Sequence, residues 1–233
     1  MTIRSQQDID ALAQNCTSLK WDLSIDSQFS GPFVLPNIED VRYDIGHEYG
    51  HPVQITSFEM PDLETAGGID FSPLPVLESW SVPKLSSTDY ILLDIPSYLE
   101  SLRFPALKEA GNIRIAGNLT DITLDALEAA STGIEITNSK QVLRYPARTR
   151  MNISLPVLES ARKVNFNGNF SSLSLPQLST LGVTDEPPDS ITPSYINIWG
   201  DPISLDLPKL SSVASSLLIR GSITSFVLTD PRP

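Results

Sequence analysis

Short stretches of this chain alternate between apolar and polar residues, and one phrase, apolar-Pro-x-apolar, recurs between them. Counted from proline to proline, most copies stand 20 to 25 residues apart. An imperfect copy has Asp125 where proline is expected. The copy that begins at Leu74 is an extra one, close to the copy that begins at Val82. The two longer steps contain insertions at 138–151 and 183–193. The copies begin at Leu35, Met60, Leu74, Val82, Phe104, Leu124, Leu155, Leu175 and Leu207.

Two more alternating phrases follow most copies of the proline phrase. The first includes Ile113-Arg114-Ile115 and Val164-Asn165-Phe166, and the second includes Leu173-Ser174-Leu175. Alternation with a period of two, in segments that are short and rich in β-branched residues, is typical of β-strands. Each repeat therefore predicts three short strands, with proline at a strand end, where lateral pairing stops and the chain turns.

The length of the repeat predicts how the strands assemble. A unit of this size cannot bury its own apolar side, whereas stacked coils cover one another. The sequence therefore predicts an all-β fold, a right-handed parallel β-solenoid of about eight or nine coils. We expect a single domain over 1–233, with a cap at 1–20, coils at 21–229 and a tail at 230–233.

The N-terminal end of the stack needs a cover, and the sequence offers one. Residues 5–8 have the composition of a helix start. Ile9, Leu12 and Ala13 then form one apolar stripe at helical spacing. We predict a short helix over residues 5–14 that caps the first coil.

Composition and charge limit the partners. The 28 acidic residues outnumber the 16 lysines and arginines and give a net charge of −12. This balance excludes the basic face that nucleic acid requires and argues against docking on anionic lipid. No stretch approaches the roughly 20 apolar residues of a membrane span. Because neither end has an apolar signal, we expect either a cytosolic protein or a trimmed secreted chain, with any membrane anchor outside this sequence.

Glycosylation motifs favour the secreted alternative. Asn-x-Ser/Thr triplets occur at Asn15, Asn118, Asn152 and Asn169. Such triplets are acceptors for N-linked glycans on the surface of secreted proteins. We expect an extracellular location, at the cell wall or cell surface.

Three segments carry a resemblance to a known family. They are TIRSQQDIDAL at 2–12 with the following Cys16, LPVLESA at 155–161 and LPKLSSV at 207–213. They resemble the receptor L domain, and specifically the fungal GPI-anchored cell-wall organisation and sporulation-protein family. The unit has the size of a leucine-rich repeat but lacks the L-x-x-L-x-L-x-x-N phrase.

The resemblance implies an extracellular glycoprotein that supports cell-wall integrity, without catalytic apparatus or cofactor. It also implies that Cys16, the single cysteine, pairs with a cysteine upstream of residue 1, so that the N-terminus is trimmed. By the residues alone, a lone cysteine also fits a reactive thiol or a bond to a partner chain.

One motif points instead to an enzyme. His47-Glu48-Tyr49-Gly50-His51 matches H-E-x-x-H, in which two histidines on one helix face bind zinc and the glutamate activates water. The context disfavours a helix, because a strand-like segment precedes the motif and Pro52 follows it. We interpret the motif as a loop between coils, and keep His47 and His51 as a possible metal-binding pair.

Carboxylates offer a second enzyme hypothesis. Polysaccharide-active enzymes use pairs of carboxylates, and pairs such as Asp94 and Glu100 are present. Sequence alone cannot place two carboxylates opposite each other. We therefore keep a polysaccharide-active β-helix enzyme as the alternative, and a zinc metallopeptidase as a less favoured one.

Two groups of residues predict binding surfaces. Basic residues are concentrated in one part of the acidic chain, where they could meet an anionic glycan or a protein: Lys140, Arg144, Arg148 and Arg150, joined by Arg162 and Lys163. Trp80 and Trp199, with Tyr145 and Tyr195, could stack on sugars, although such residues also fill core positions. The sequence favours a non-catalytic repeat protein that binds cell-wall polysaccharide or a surface protein.

Overall fold

A computed structural model of the chain describes residues 1–48, 50–97, 99–138, 150–182 and 193–227. These residues form one helix and otherwise strands that pair in parallel. In chain order the elements are β1 (Thr2–Ile3), α1 (Gln6–Asn15), β2 (Ser18–Leu19), β3 (Leu23–Ile25), β4 (Ser30–Val34), β5 (Asp40–His47), β6 (Gln54–Glu59), β7 (Thr65–Phe71), β8 (Ser79–Ser81), β9 (Ser87–Ile95), β10 (Ser101–Arg103), β11 (Glu109–Gly117), β12 (Asp121–Thr123), β13 (Ala129–Thr137), β14 (Met151–Ser154), β15 (Ser160–Ala161), β16 (Val164–Gly168), β17 (Phe170–Ser174), β18 (Thr180–Leu181), β19 (Ser194–Asp206), β20 (Ser212–Val213) and β21 (Leu217–Val227).

The chain winds as a parallel β-solenoid, which confirms the predicted fold class. Its first face consists of two-residue rungs, one for each coil, and the described residues contain nine of them. Each coil also donates a backbone hydrogen bond to the previous one just before its rung, as from Glu39 to Thr17 at 2.7 Å. Coils 1 to 9 are numbered by these rungs, which are β2, 40–41, 65–66, 87–88, 109–110, 129–130, β15, β18 and β20.

The second face consists of longer strands that pair in register. Every second residue points inward, and the inward residues of successive coils stack in columns of like side chains. One buried column contains Ile45, Ile69, Ile91, Ile113 and Ile134. The register continues across the first insertion, because β13 pairs with β16. Stacking of this kind buries apolar area that no single coil could bury.

The third face is divided into two sheets. In coils 1 to 3 it is a separate three-stranded sheet of β4, β6 and β8. From coil 4 onward, β10, β12, β14 and β17 are followed by the last parts of β19 and β21, and these strands belong to the same large sheet as the other faces. The long strands β19 and β21 join the second and third faces because each bends round the corner between them.

The apolar-Pro-x-apolar phrase forms the turn between the third face and the next coil. In seven copies the N–H of the fourth residue donates to the carbonyl of the first, at 3.2–3.4 Å. Proline stands at the second position in six of them, where its fixed φ suits a β-turn. The first and fourth residues, such as Phe104 and Leu107, are fully buried. The phrase recurs because one turn chemistry and two core anchors are needed in each coil.

The N-terminal helix closes the first coil. It begins one residue later than predicted and ends at Asn15. The Asp8 carboxylate accepts hydrogen bonds from the backbone N–H groups of Arg4 and Ser5, at 2.8 and 2.9 Å, and so fixes the helix start. Ile9 and Leu12 are buried in the same core as the coils. The helix therefore covers apolar side chains that a further coil would otherwise cover.

Aromatic side chains fill the core of the first four coils beside the third face. Phe33 stacks on Phe58 with ring centroids 5.2 Å apart, and Phe58 stacks on Trp80 at 4.4 Å. Trp80 in turn approaches Phe104 at 6.0 Å. Each coil contributes one ring, so this stack is the aromatic counterpart of the isoleucine column on the second face.

The turn at Asp125, the copy without proline, provides a test of the role of proline in these turns. We expect Asp125→Pro to raise the free energy of unfolding by about 0.4–1 kcal/mol, because proline restricts the unfolded chain at a position whose turn it fits. The Asp125 N–H makes no backbone hydrogen bond within the described residues, so the substitution removes none. Urea denaturation followed by circular dichroism measures the change.

Pro105→Ala, at the equivalent position one coil earlier, is the matched control and should lower the free energy of unfolding by a similar amount. A destabilised Asp125→Pro variant would show that this turn has a different backbone conformation from its neighbours.

Candidate functional site

A groove lies on the outer side of the second face, across coils 3 to 5. Its volume is about 360 Å³, and its side walls contain both charged and apolar residues. The strand register sets its geometry, because Asp70, Leu92 and Arg114 are neighbours across three successive strands. The second-face groove is lined by Asp70, Ser72, Leu92, Leu93, Asp94, Arg114 and Ala116.

Beside the groove, a tyrosine lies flat across a glycine. The Tyr90 ring occupies the space above Gly68, where any Cβ would overlap with it. The Tyr90 hydroxyl is hydrogen-bonded to Asp44. Burial raises the pKa of Tyr90 above its usual value, and the hydrogen bond and charge of Asp44 raise it further. The ring is therefore held in one orientation against the sheet as a neutral phenol.

Carboxylates give this part of the face a negative potential. Asp22 and Asp44 stand in register in coils 1 and 2, and the backbone N–H of Asp44 donates to the Asp22 carboxylate at 3.2 Å. Burial raises the pKa of Asp70, the nearby His47 lowers it and the Asp44 charge raises it. Arg114 supplies a positive charge at the far wall and approaches Glu135 at 3.8 Å. Together these groups offer acceptors and one forked donor to hydroxyl-rich ligands.

Two exposed aromatic residues lie at the corner between the first and second faces, in the coils that precede the groove. Trp21 is 74% exposed and Tyr43 is 49% exposed. Each stands two residues after the inward residue of the first face and two before that of the second, in coils 1 and 2. The two therefore occupy equivalent positions on the same corner. We call Trp21 and Tyr43 the aromatic edge.

The prediction that Trp80 stacks on sugars is wrong. Trp80 is only 8% exposed, and its ring is stacked on Phe58 within the core. Its inward position follows from the alternation of β8, in which the serines on either side are exposed. A ring packed on both sides cannot present a face to a ligand.

The other predicted surface residues are divided by the structure. Trp199 is 49% exposed in coil 8, and its indole N–H donates to Asn167 at 2.7 Å. Arg150 forms an ion pair with Asp201 at 3.1 Å and donates to the Phe170 carbonyl at 3.2 Å. Arg162, Lys163 and Tyr195 are half-buried, and Lys140, Arg144, Arg148 and Tyr145 lie outside the described residues.

The four sequons differ in access. Asn15 is exposed at the end of α1. Asn118 is only 9% exposed, so a glycan on its amide would displace packed neighbours. The Asn152 amide donates to Asp121 at 2.6 Å. In Asn169 the side-chain oxygen is buried, and its backbone is held by the neighbouring Asn138 amide. Of the four asparagines only Asn15 is exposed, and its amide donates to the Ala11 carbonyl at 2.7 Å within the helix.

The H-E-x-x-H motif does not form a zincin site. β5 ends at His47, and the described residues after it form a turn in which the His51 N–H donates to the Glu48 carbonyl at 3.1 Å. The two histidines therefore do not share a helix face. His47 takes an inward position and stacks on Phe71, with ring centroids 5.8 Å apart, whereas His51 is exposed. Within the described residues no group of three potential metal ligands occurs.

The carboxylate pair named from the sequence is also separated. Asp94 lines the second-face groove near the end of β9, whereas Glu100 is exposed and directly precedes β10 on the third face. The carboxylate that shares the groove with Asp94 is Asp70, one coil earlier. The strand register brings Asp70 rather than Glu100 close to Asp94, because Asp70 and Asp94 lie diagonally across adjacent strands.

The groove and the aromatic edge were not predicted from the sequence. Alignment of the repeats by their inward residues would have found Trp21 and Tyr43, which stand at one position in consecutive repeats. No pattern in the sequence predicts that Asp70 and Arg114 lie close together, because two turns of the solenoid separate them along the chain.

Comparison of the chain with models of known protein families, with curated proteins and with solved structures found no match. Across the part of the chain that the structure describes, no helix has both the length and the apolar character needed to cross a membrane.

The inward position of His47 makes stability depend on pH. Burial lowers its pKa in the folded protein below the ordinary value of 6.5, although the Asp70 carboxylate partly offsets this. The unfolded chain therefore binds more protons than the folded one just below that value, and stability falls as the pH falls through it. We expect the urea midpoint to decrease between about pH 7.5 and pH 5.5.

His47→Phe, which matches the stacked Phe71 of the next coil, should reduce this pH dependence. His51→Gln is the matched control, because His51 is exposed and is the only other histidine. If His51→Gln flattened the profile as much as His47→Phe does, the buried ring would not be its source.

Proposed function

We propose that this protein is a non-catalytic extracellular scaffold that supports fungal cell-wall organisation by binding wall glycan in the second-face groove. The observation that carries the proposal is the combination of two exposed aromatic rings on the corner of coils 1 and 2 with carboxylates and one arginine in the groove of coils 3 to 5. The family resemblance of the cap and the repeat supports the cellular role.

The chemistry of the groove suits a sugar chain. Aromatic rings provide flat apolar surfaces for the C–H faces of sugars, and carboxylates accept hydrogen bonds from hydroxyl groups. Trp21 and Tyr43 supply exposed rings, and Asp70 and Asp94 supply carboxylates. The groove spans coils 3 to 5 and the aromatic edge lies in coils 1 and 2, so an extended chain along the coil axis could meet both.

The scaffold also favours recognition, because its binding groups are fixed before a ligand arrives. Apart from Ser72, the groove residues belong to strands that pair on both sides. Tyr90 is held against Gly68 and bonded to Asp44. A preorganised site loses less conformational entropy on binding than a loop site does.

An extracellular location at the wall or cell surface is part of the proposal. The exposed Asn15 sequon supports it, because an exposed asparagine is accessible to glycosylation. A surface protein is the alternative class of partner.

Glycan binding can be tested with the two exposed aromatic residues. We expect isothermal titration with oligosaccharides of glucose, N-acetylglucosamine and mannose to detect at least one saturable ligand. Trp21→Ala and Tyr43→Ala should each weaken it by about fivefold or more, since exposed aromatic anchors contribute over 1 kcal/mol at binding sites.

Trp199→Ala separates this site from the surface that the sequence predicted, because Trp199 is equally exposed but lies in coil 8. Loss of binding in Trp199→Ala alone would indicate that the glycan binds at coil 8 instead. The absence of binding by every oligosaccharide would contradict a glycan ligand.

One observation favours a second candidate, a polysaccharide-active enzyme. Asp70 and Asp94 share the groove, and the raised pKa of Asp70 is a property expected of a general acid. The same oligosaccharides should be checked for shorter products by mass spectrometry. Cleavage that disappears in Asp70→Asn and Asp94→Asn, with binding retained, would replace the scaffold proposal with this one.

A further inference from the structure

A second cavity, of about 310 Å³, lies at the corner between the first and second faces. It is separate from the second-face groove and occupies coils 5 to 7. In coil 6, three residues separate the inward Ala130 from Ile134, whereas in coil 7 only two separate Ala161 from Val164. The extra residue makes a bulge, a feature that redirects side chains and often borders binding sites.

Gly133 allows the bulge. Its φ of 148° is in a region that other residues rarely adopt. A Cβ at this position would also lie 3.0 Å from the Lys163 carbonyl oxygen. The backbone of coil 6 therefore stands against that of coil 7 and turns Thr132 toward the cavity.

Two cations from the next coil line the cavity. Arg162 and Lys163 are half-buried, in a protein whose net charge is −12. Within the described residues Lys163 makes no ion pair or hydrogen bond through its ammonium group. Glu135 also lines the cavity, but it lies 3.8 Å from Arg114, which offsets its charge.

Neutral donors complete the lining. Asn112 and Asn165, which have side-chain amides, and Thr132, which has a hydroxyl, also line the cavity. The Asn165 side-chain oxygen accepts a hydrogen bond from the Tyr195 N–H at 3.2 Å. This bond fixes the amide, so its NH₂ group remains to donate. The cavity therefore combines cations and oriented donors, and its size falls within the range of small-ligand sites.

We propose that this cavity binds an oxyanion group carried by a sugar, either a carboxylate or a phosphate ester. Arg162 and Lys163 supply the charge, and the amides of Asn112 and Asn165 supply directed hydrogen bonds. Charge-assisted hydrogen bonds from arginine and lysine are the strongest contacts that a protein offers such groups. The proposal does not depend on glycan binding in the second-face groove.

The test compares charged and neutral sugars at low ionic strength. Glucuronate and glucose 6-phosphate are titrated separately, with glucose as the neutral probe, and binding is followed by amide chemical shifts in NMR. We expect saturable binding of at least one charged sugar, shifts at residues of coils 6 and 7, and weakening as salt is added. Which charged sugar binds more tightly distinguishes a carboxylate site from a phosphate site.

Lys163→Gln should weaken binding by about tenfold or more, as expected on loss of a charge-assisted hydrogen bond. Lys163→Arg should largely retain binding, which separates the loss of charge from a folding defect. Lys209→Gln is the control, because Lys209 is exposed and contacts Gln177 instead.

Three results would overturn the proposal. They are no saturable binding of either charged sugar, equal binding of glucose, and equal weakening by Lys209→Gln, which would indicate only a general effect of net charge. Because the shifts are assigned to residues, binding in coils 3 to 5 would be recognised as the groove and would count against the second cavity.

Discussion

Every part of this structure depends on the stacking of one coil on the next. The strands of one coil do not pair with each other, so their backbone N–H and C=O groups are satisfied by the coils on either side. The inward side chains of a coil are likewise buried only by their counterparts. The isoleucine column of the second face and the aromatic stack beside the third face are both consequences of this dependence.

The same dependence requires that the ends of the stack be covered. At the N-terminal end α1 buries Ile9 and Leu12 against the coils. In coil 9, which has no further coil above it within the described residues, Ile219 and Ile223 are only partly buried and Phe226 is 43% exposed. The difference shows how much burial a coil obtains from a neighbour.

Stacking constrains the inner positions and leaves the outer ones free to vary. The corners tolerate an extra residue because a bulge there does not shift the inward residues on either side. Both candidate binding regions use this freedom. The aromatic edge follows the corner of coils 1 and 2, and the oxyanion cavity is opened by the bulge at Gly133 in coil 6. A rigid core with variable corners is a suitable frame for recognition.

The sequence by itself determined the repeat, the strand type and the capping helix, because alternation, proline turns and a helical stripe are local properties of the chain. It also identified H-E-x-x-H as out of context, from the strand-like segment before the motif and Pro52 after it. Only the tertiary structure decided which outward residues meet. The sequence did not distinguish Trp80 from Trp199, yet Trp80 is packed in the core and Trp199 is exposed. Asp70, Asp94 and Arg114 share a groove because the register places three coils side by side. That register is set by contacts between residues some 20 positions apart, which no local pattern records.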